Sequence, residues 1–185
     1  MLRRLVPVVA AALLLAGCSG DPAPAPAKET PVTTSSADES PERPTEAPAI
    51  AQPLDMGPGA RHPCDTLTAA QQKQVGFQHG TGKGEKCSWA NGYTLQLHVG
   101  FDALADAYKK SNNGDEVFEP REIHGKPAVV HASSTGGDTC EVVVGMAPEQ
   151  SVVLTGETKP DPKLCDRLVT AAGLVVETLS RWAGV

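Results

Sequence analysis

The chain has 185 residues, of which 40% are apolar, enough for one domain of ordinary size and too few for several. With 16 lysines and arginines against 22 aspartates and glutamates the net charge is −6, and only the extreme N-terminus is basic. Binding to nucleic acid needs a basic face, so a nucleic-acid partner is excluded.

Arg3 and Arg4 precede an apolar run over residues 5–16, the pattern of a secretory signal. The run is too short to span a bilayer, which takes about 20 apolar residues, and Pro7 would weaken a spanning helix. Nothing around the arginine pair strengthens a twin-arginine pattern, so general secretion is the expected route. Leu15-Ala16-Gly17-Cys18 resembles the bacterial lipobox, which implies cleavage before Cys18 and lipid on its thiol. The mature protein would then be fastened to the extracytoplasmic face of the cell membrane. Residues 19–62 hold nine of the 16 prolines and no Phe, Tyr or Trp. So little apolar area predicts a disordered tether, with a glycosylated stalk as the alternative reading of its Thr, Ser and Pro. Core residues return from Pro63. The expected organisation is therefore a signal peptide over 1–17, lipidated Cys18 and tether to 62, and one domain over 63–185.

Within that domain, Thr68 and Gln71 fit a capping box and Gly76 a helix stop, predicting a short helix over 69–75. Gly80-Thr81-Gly82-Lys83-Gly84 lacks phosphate-loop spacing and reads as a mobile loop. Strands are expected over 86–90 and 93–99. A three-residue connection, Ala90 to Gly92, keeps Cys87, Trp89, Tyr93, Leu95, Leu97 and Val99 on one face, where a two-residue turn would mix apolar with polar. Phe101, Leu104, Ala105 and Tyr108 then fall at helical spacing, with Asp102 as cap and Asn113-Gly114 as the end. Four more strands follow, over 117–123, 127–132, 139–146 and 151–155, and Pro120 places the first at an edge. Asp161-Pro162 opens a long helix carrying Leu164, Leu168, Ala171, Val175, Leu179 and Trp182 on one stripe. Short turns between strands predict the α+β class. The expectation is one largely antiparallel sheet of about five to six strands, with a short N-terminal, a middle and a long C-terminal helix packed on it.

Apart from Cys18, the cysteines are Cys64, Cys87, Cys140 and Cys165, an even number that reads as two disulfides on the oxidising side. Cys87 with Cys140 is the favoured pair, because both lie on inward strand faces. Cys64 with Cys165 is the other, because each sits beside a helix start. The four positions are scattered without a Cys-x-x-Cys pair, which disfavours zinc. His98 and His131 could meet across a sheet but read better as solvated histidines, so neither metal nor cofactor is expected. No nucleophile elbow, metalloprotease motif or phosphate loop occurs. Asp115, Glu116, Glu119 and Glu122 read as charge guarding an edge strand rather than as an acid–base pair. Trp89 and Trp182 both fit inward faces, leaving no aromatic platform for a sugar.

In order, Pro63-Cys64-Asp65 with Leu67-Thr68, Cys87-Ser88-Trp89, Gly125-Lys126-Pro127-Ala128-Val129, Cys140-Glu141-Val142-Val143-Val144 and Cys165 at the last helix resemble the actinobacterial lipoproteins grouped as domain of unknown function 3558. The resemblance implies an envelope lipoprotein and brings no established reaction, so no catalytic residue is carried over. It leaves the glycine-rich run before Cys87 unexplained. The expected function is a non-enzymatic binding or interaction module. Its partner would be an envelope protein or a small ligand, held near the membrane through Cys18. The alternative is a carrier of a small apolar ligand in a cavity between sheet and long helix.

Overall fold

In the computed structural model the described residues are 43–110, 116–133, 139–157 and 162–185, all within the compact unit Ser40–Val185. The leader, Cys18, Asn113-Gly114, Asp115 and Asp161 lie outside the described residues. Seven strands form one antiparallel sheet: β1 (Gly80–Lys83), β2 (Lys86–Trp89), β3 (Tyr93–Val99), β4 (Glu116–Ile123), β5 (Lys126–Ser133), β6 (Thr139–Ala147) and β7 (Gln150–Glu157). Their spatial order is β1-β2-β3-β7-β6-β5-β4, so β4, with Pro120, is an edge as its proline requires. Among the described residues three α-helices accompany the sheet, α1 (Ala69–Gln74), α2 (Ala103–Lys110) and α3 (Leu164–Ala183).

One strand more than expected is present, and it is the glycine run read as a mobile loop. All four residues of β1 are exposed, so the strand shows no alternation of apolar and polar side chains that a sequence reading could detect. Its glycines serve close approach instead. A Cβ at Gly80 would lie 2.8 Å from Trp89 Nε1 and 3.0 Å from Cys87 Sγ. The next hairpin pairs Trp89 with Tyr93 and Cys87 with Leu95, the register of the three-residue connection, with Gly92 at φ +87°.

Because side chains alternate along a strand, one sheet face carries Cys87, Trp89, Leu95, Leu97, Val142, Val144, Val152 and Leu154. It buries them against Leu168, Ala171, Ala172, Val175 and Val176 of α3. Each fully buried Leu or Val contributes about 1.5–3 kcal/mol. On the opposite face α2 sets Leu104, Ala107 and Tyr108 on Val129 and Val143, and Asp102 Oδ1 caps that helix by accepting from the Ala105 N–H at 2.9 Å.

The packed region begins before Pro63, which corrects the expected boundary. Leu54, Met56 and Ala60 are buried in the α3-side core, and Ala47 packs against the α2 cluster. The Leu54 N–H donates to Met146 O at 2.6 Å. Composition missed this because a few apolar side chains among prolines cannot build a core of their own, yet suffice to dock on one supplied by the sheet.

The disulfides also differ from the expected pairs. Cys64 is bonded to Cys87 and Cys140 to Cys165, with Cα separations of 5.1 and 5.6 Å. The expected Cys87–Cys140 bridge fails on strand order. Cys87 on β2 and Cys140 on β6 do share the inward face, but β3 and β7 lie between them. Three strand spacings amount to about 14 Å, beyond disulfide reach. Cys64–Cys165 falls with it. Each cysteine instead bonds across layers: Cys64, in the 3-10 turn Pro63–Thr66, to β2 beneath it, and Cys165 of α3 to β6.

Candidate functional site

α2 covers the middle of its sheet face and leaves the β1–β3 side uncovered, where Ser88, Thr94, Gln96 and His98 are partly exposed. A groove of about 450 Å³ runs beside α2, with Glu141, Val143, Val153, Thr155 and His131 among its lining and His98 and Phe101 contributing from β3 and the residues after it. Alanines 103 and 107 keep the helix wall low on the groove side.

The strand registers line up a row of polar side chains across this face. Thr81 pairs with Ser88, Ser88 with Thr94, Thr94 with Thr155, Thr155 with Glu141, and Glu141 with His131. Neighbours in the row are about 4.8 Å apart. The Thr94 and Thr155 hydroxyls hydrogen-bond to each other, and the His131 ring meets Phe118 edge-on at 5.1 Å. The row offers hydroxyl donors and acceptors, one carboxylate and one imidazole to a ligand lying across the strands.

Lys110 is ion-paired with Asp106 one helical turn away. Its hydrogen bond to Asp106 and that carboxylate's charge hold the ammonium above its ordinary pKa, with Glu141 adding to the effect. Burial pushes His98 below the usual imidazole value, against the opposing charge of Glu85. Asp106, Glu141 and Glu157 outnumber Lys110 among the groove's charged lining, so the groove is acidic.

The two histidines singled out in the sequence are not brought together. β7 and β6 separate their strands, and His98 lies opposite Ser151 whereas His131 lies opposite Glu141. They are on the order of 20 Å apart. Glu119 and Glu122 fall on opposite faces of β4 by their odd spacing, so these two carboxylates do not form a pair; Glu119 instead engages Arg121. Among the described residues no group of three or more His, Cys, Asp or Glu is placed to hold a metal ion. None of their helices is long and apolar enough to cross a membrane.

Trp182 corrects a further expectation. Its spacing fits the inward stripe, yet it is 48% exposed, because α3 runs past the edge of the core in its last turn. The polar row, by contrast, was missed altogether. Its residues alternate correctly in β3, but their alignment with β7 and β6 depends on a strand order that no local pattern carries.

A family profile described as Protein of unknown function (DUF3558) matches residues 13–178. The chain belongs to the DUF3558 family. The match takes in the segment from residue 43, both disulfides, all seven strands and most of α3. No curated protein and no solved structure matches the chain. The DUF3558 assignment therefore brings no reaction to the groove, and its chemistry rests on the side chains just described.

Proposed function

We propose that this DUF3558 protein is an extracytoplasmic lipoprotein of an actinobacterial envelope, anchored through lipid on Cys18, and a non-enzymatic binding module whose groove beside α2 receives its partner. The observation carrying this reading is that the four cysteines after Cys18 sit in bonded pairs, an arrangement that persists where thiols oxidise. The groove supplies the rest: an open, polar, hydroxyl-lined surface on a sheet held rigid from behind by α3.

With Ala47, Leu54, Met56 and Ala60 packed on the domain, the connection from Cys18 is shorter than the sequence suggested. The apolar-carrier alternative placed its cavity between the sheet and α3. Leu168, Ala171, Val175 and Val176 are fully buried there, and the groove lies on the other face, so binding on the open surface is the better-supported reading.

Two measurements test the proposal. Intact-mass analysis of protein extracted from its native membrane should find residue 18 as the N-terminus, carrying a diacylglyceryl group; an unmodified Cys18 overturns the anchor. A photo-crosslinking residue at position 98, in the groove lining, should then capture an envelope component that the same residue at position 177, on the exposed face of α3, does not. Equal yields at the two positions overturn the groove as the binding surface.

A further inference from the structure

A second cleft, of about 330 Å³, lies where the 3-10 turn Gly57–Arg61 meets the last turn of α3. Its apolar wall is built from Met56, Leu179 and Trp182. Trp182 packs so closely on the turn that a Cβ at Gly59 would lie 2.9 Å from its Cε3, yet the residue stays 48% exposed. The indole therefore presents ring surface to solvent from a fixed position.

The polar rim carries one sign of charge. Asp55 and Asp65 line the cleft with His62, and among the described residues no lysine or arginine does. Asp55 is held in place, its Oδ1 accepting from the Gly57 N–H at 2.9 Å and from Gln150 Nε2 at 3.0 Å. The carboxyl end of α3, the negative pole of a 20-residue helix, points into the same region. Two arginines adjoin lining residues in sequence: Arg181, beside Trp182, is engaged with Glu177 at 3.1 Å, and Arg61, beside His62, is exposed and is not part of the lining.

An aliphatic floor, an exposed indole and two carboxylates match a side chain with an apolar stem and a cationic head. The stem lies against the exposed Trp182 indole and Ala183, above the already buried Leu179 and Met56, while the head gains from ring and carboxylates together. We propose that this cleft docks a lysine- or arginine-bearing segment of a partner protein. The surface is distinct from the groove beside α2 and does not depend on it.

The two tryptophans make the test direct. Trp89 is buried, with its Nε1–H donating to Gln72 Oε1 at 3.3 Å, so its indole N–H resonance serves as an internal control for that of Trp182. Titrating the full mature protein with a Gly-Ala peptide carrying one lysine should shift the Trp182 resonance saturably and leave Trp89 in place. The same peptide with norleucine for lysine should bind at least about fivefold more weakly. Asp65→Asn, a change at an exposed carboxylate, should weaken the lysine peptide about threefold or more, with both indole resonances retained as the sign of a folded domain. No shift at millimolar peptide, equal affinity for norleucine and lysine, or indifference to Asp65→Asn overturns the proposal. So does free lysine amide binding as tightly as the peptide, since the occupant would then be a small amine and not a protein segment.

Discussion

His98 shows how one side chain records its surroundings. Burial beside Phe101, whose ring centroid is 5.5 Å away, disfavours the imidazolium and lowers the pKa below the ordinary 6.5. The unfolded chain therefore takes up a proton at a higher pH than the folded one. Stability from the neutral ring is fully present above about 6.5 and is lost as the pH falls below that value towards the folded-state pKa. An NMR titration should place the His98 midpoint below 6.5, and His98→Gln should flatten the stability profile in that interval; a midpoint at or above 6.5 contradicts the burial argument. Gly156 makes a steric claim of the same scale. A Cβ there would lie 2.7 Å from Leu164 Cδ1 and 3.2 Å from Tyr93 Cδ1, both side chains buried. Gly156→Val should lower stability by about 1–3 kcal/mol through overpacking, read as an earlier urea midpoint, whereas an unchanged midpoint would mean that the first turn of α3 yields freely.

At the scale of elements, α1 was the easiest to read and β1 the hardest. The α1 signal is wholly local. The Gln71 N–H donates to Thr68 Oγ1 at 3.3 Å, and Gln71 Oε1 accepts from the Thr68 N–H at 2.8 Å. Both orphan donors are satisfied within four residues, which is why a capping box can be seen in sequence. Thr68→Ala should cost about 1 kcal/mol in a denaturant titration, with no change in the disulfides. α3 begins on its stripe and not on an N-cap, since Lys163 makes no side-chain capping bond. Leu168→Ala should cost about 2–5 kcal/mol, because Leu168 is fully buried; a loss under 1 kcal/mol would mean that the sheet and helix close over the gap. β1 has neither cap nor stripe. Only its pairing with β2 and the close approach at Gly80 make it a strand, and neither is visible in a run of glycine, threonine and lysine.

For the whole molecule the disulfides carry the clearest prediction. A non-reducing peptide map should join Cys64 to Cys87 and Cys140 to Cys165, and finding Cys87 joined to Cys140 would contradict the strand order. The bridges close segments with sequence separations of 23 and 25, so each restricts the unfolded chain by about 3.5 kcal/mol in the loop-entropy treatment. Replacing Cys64 and Cys87 together with serine should lower stability by an amount of that order, and no loss would place the stabilisation elsewhere.

The sequence by itself determined what acts over a few residues. The α1 box, the Asp102 cap, the register of the β2–β3 hairpin and the apolar stripe of α3 all follow from spacing, as does the α+β class with its antiparallel sheet. It also determined that four cysteines would pair, though not how. Tertiary structure decided which cysteines meet, that β3 pairs with β7 and not with β4, that residues 47–60 join the core, and that hydroxyls from four strands align with Glu141 in one row. The reason is common to all of these. Caps and periodicities are satisfied within a turn or a strand, whereas strand order is settled only when the entire sheet buries its inward face against α3. Every distance across the sheet follows from that order.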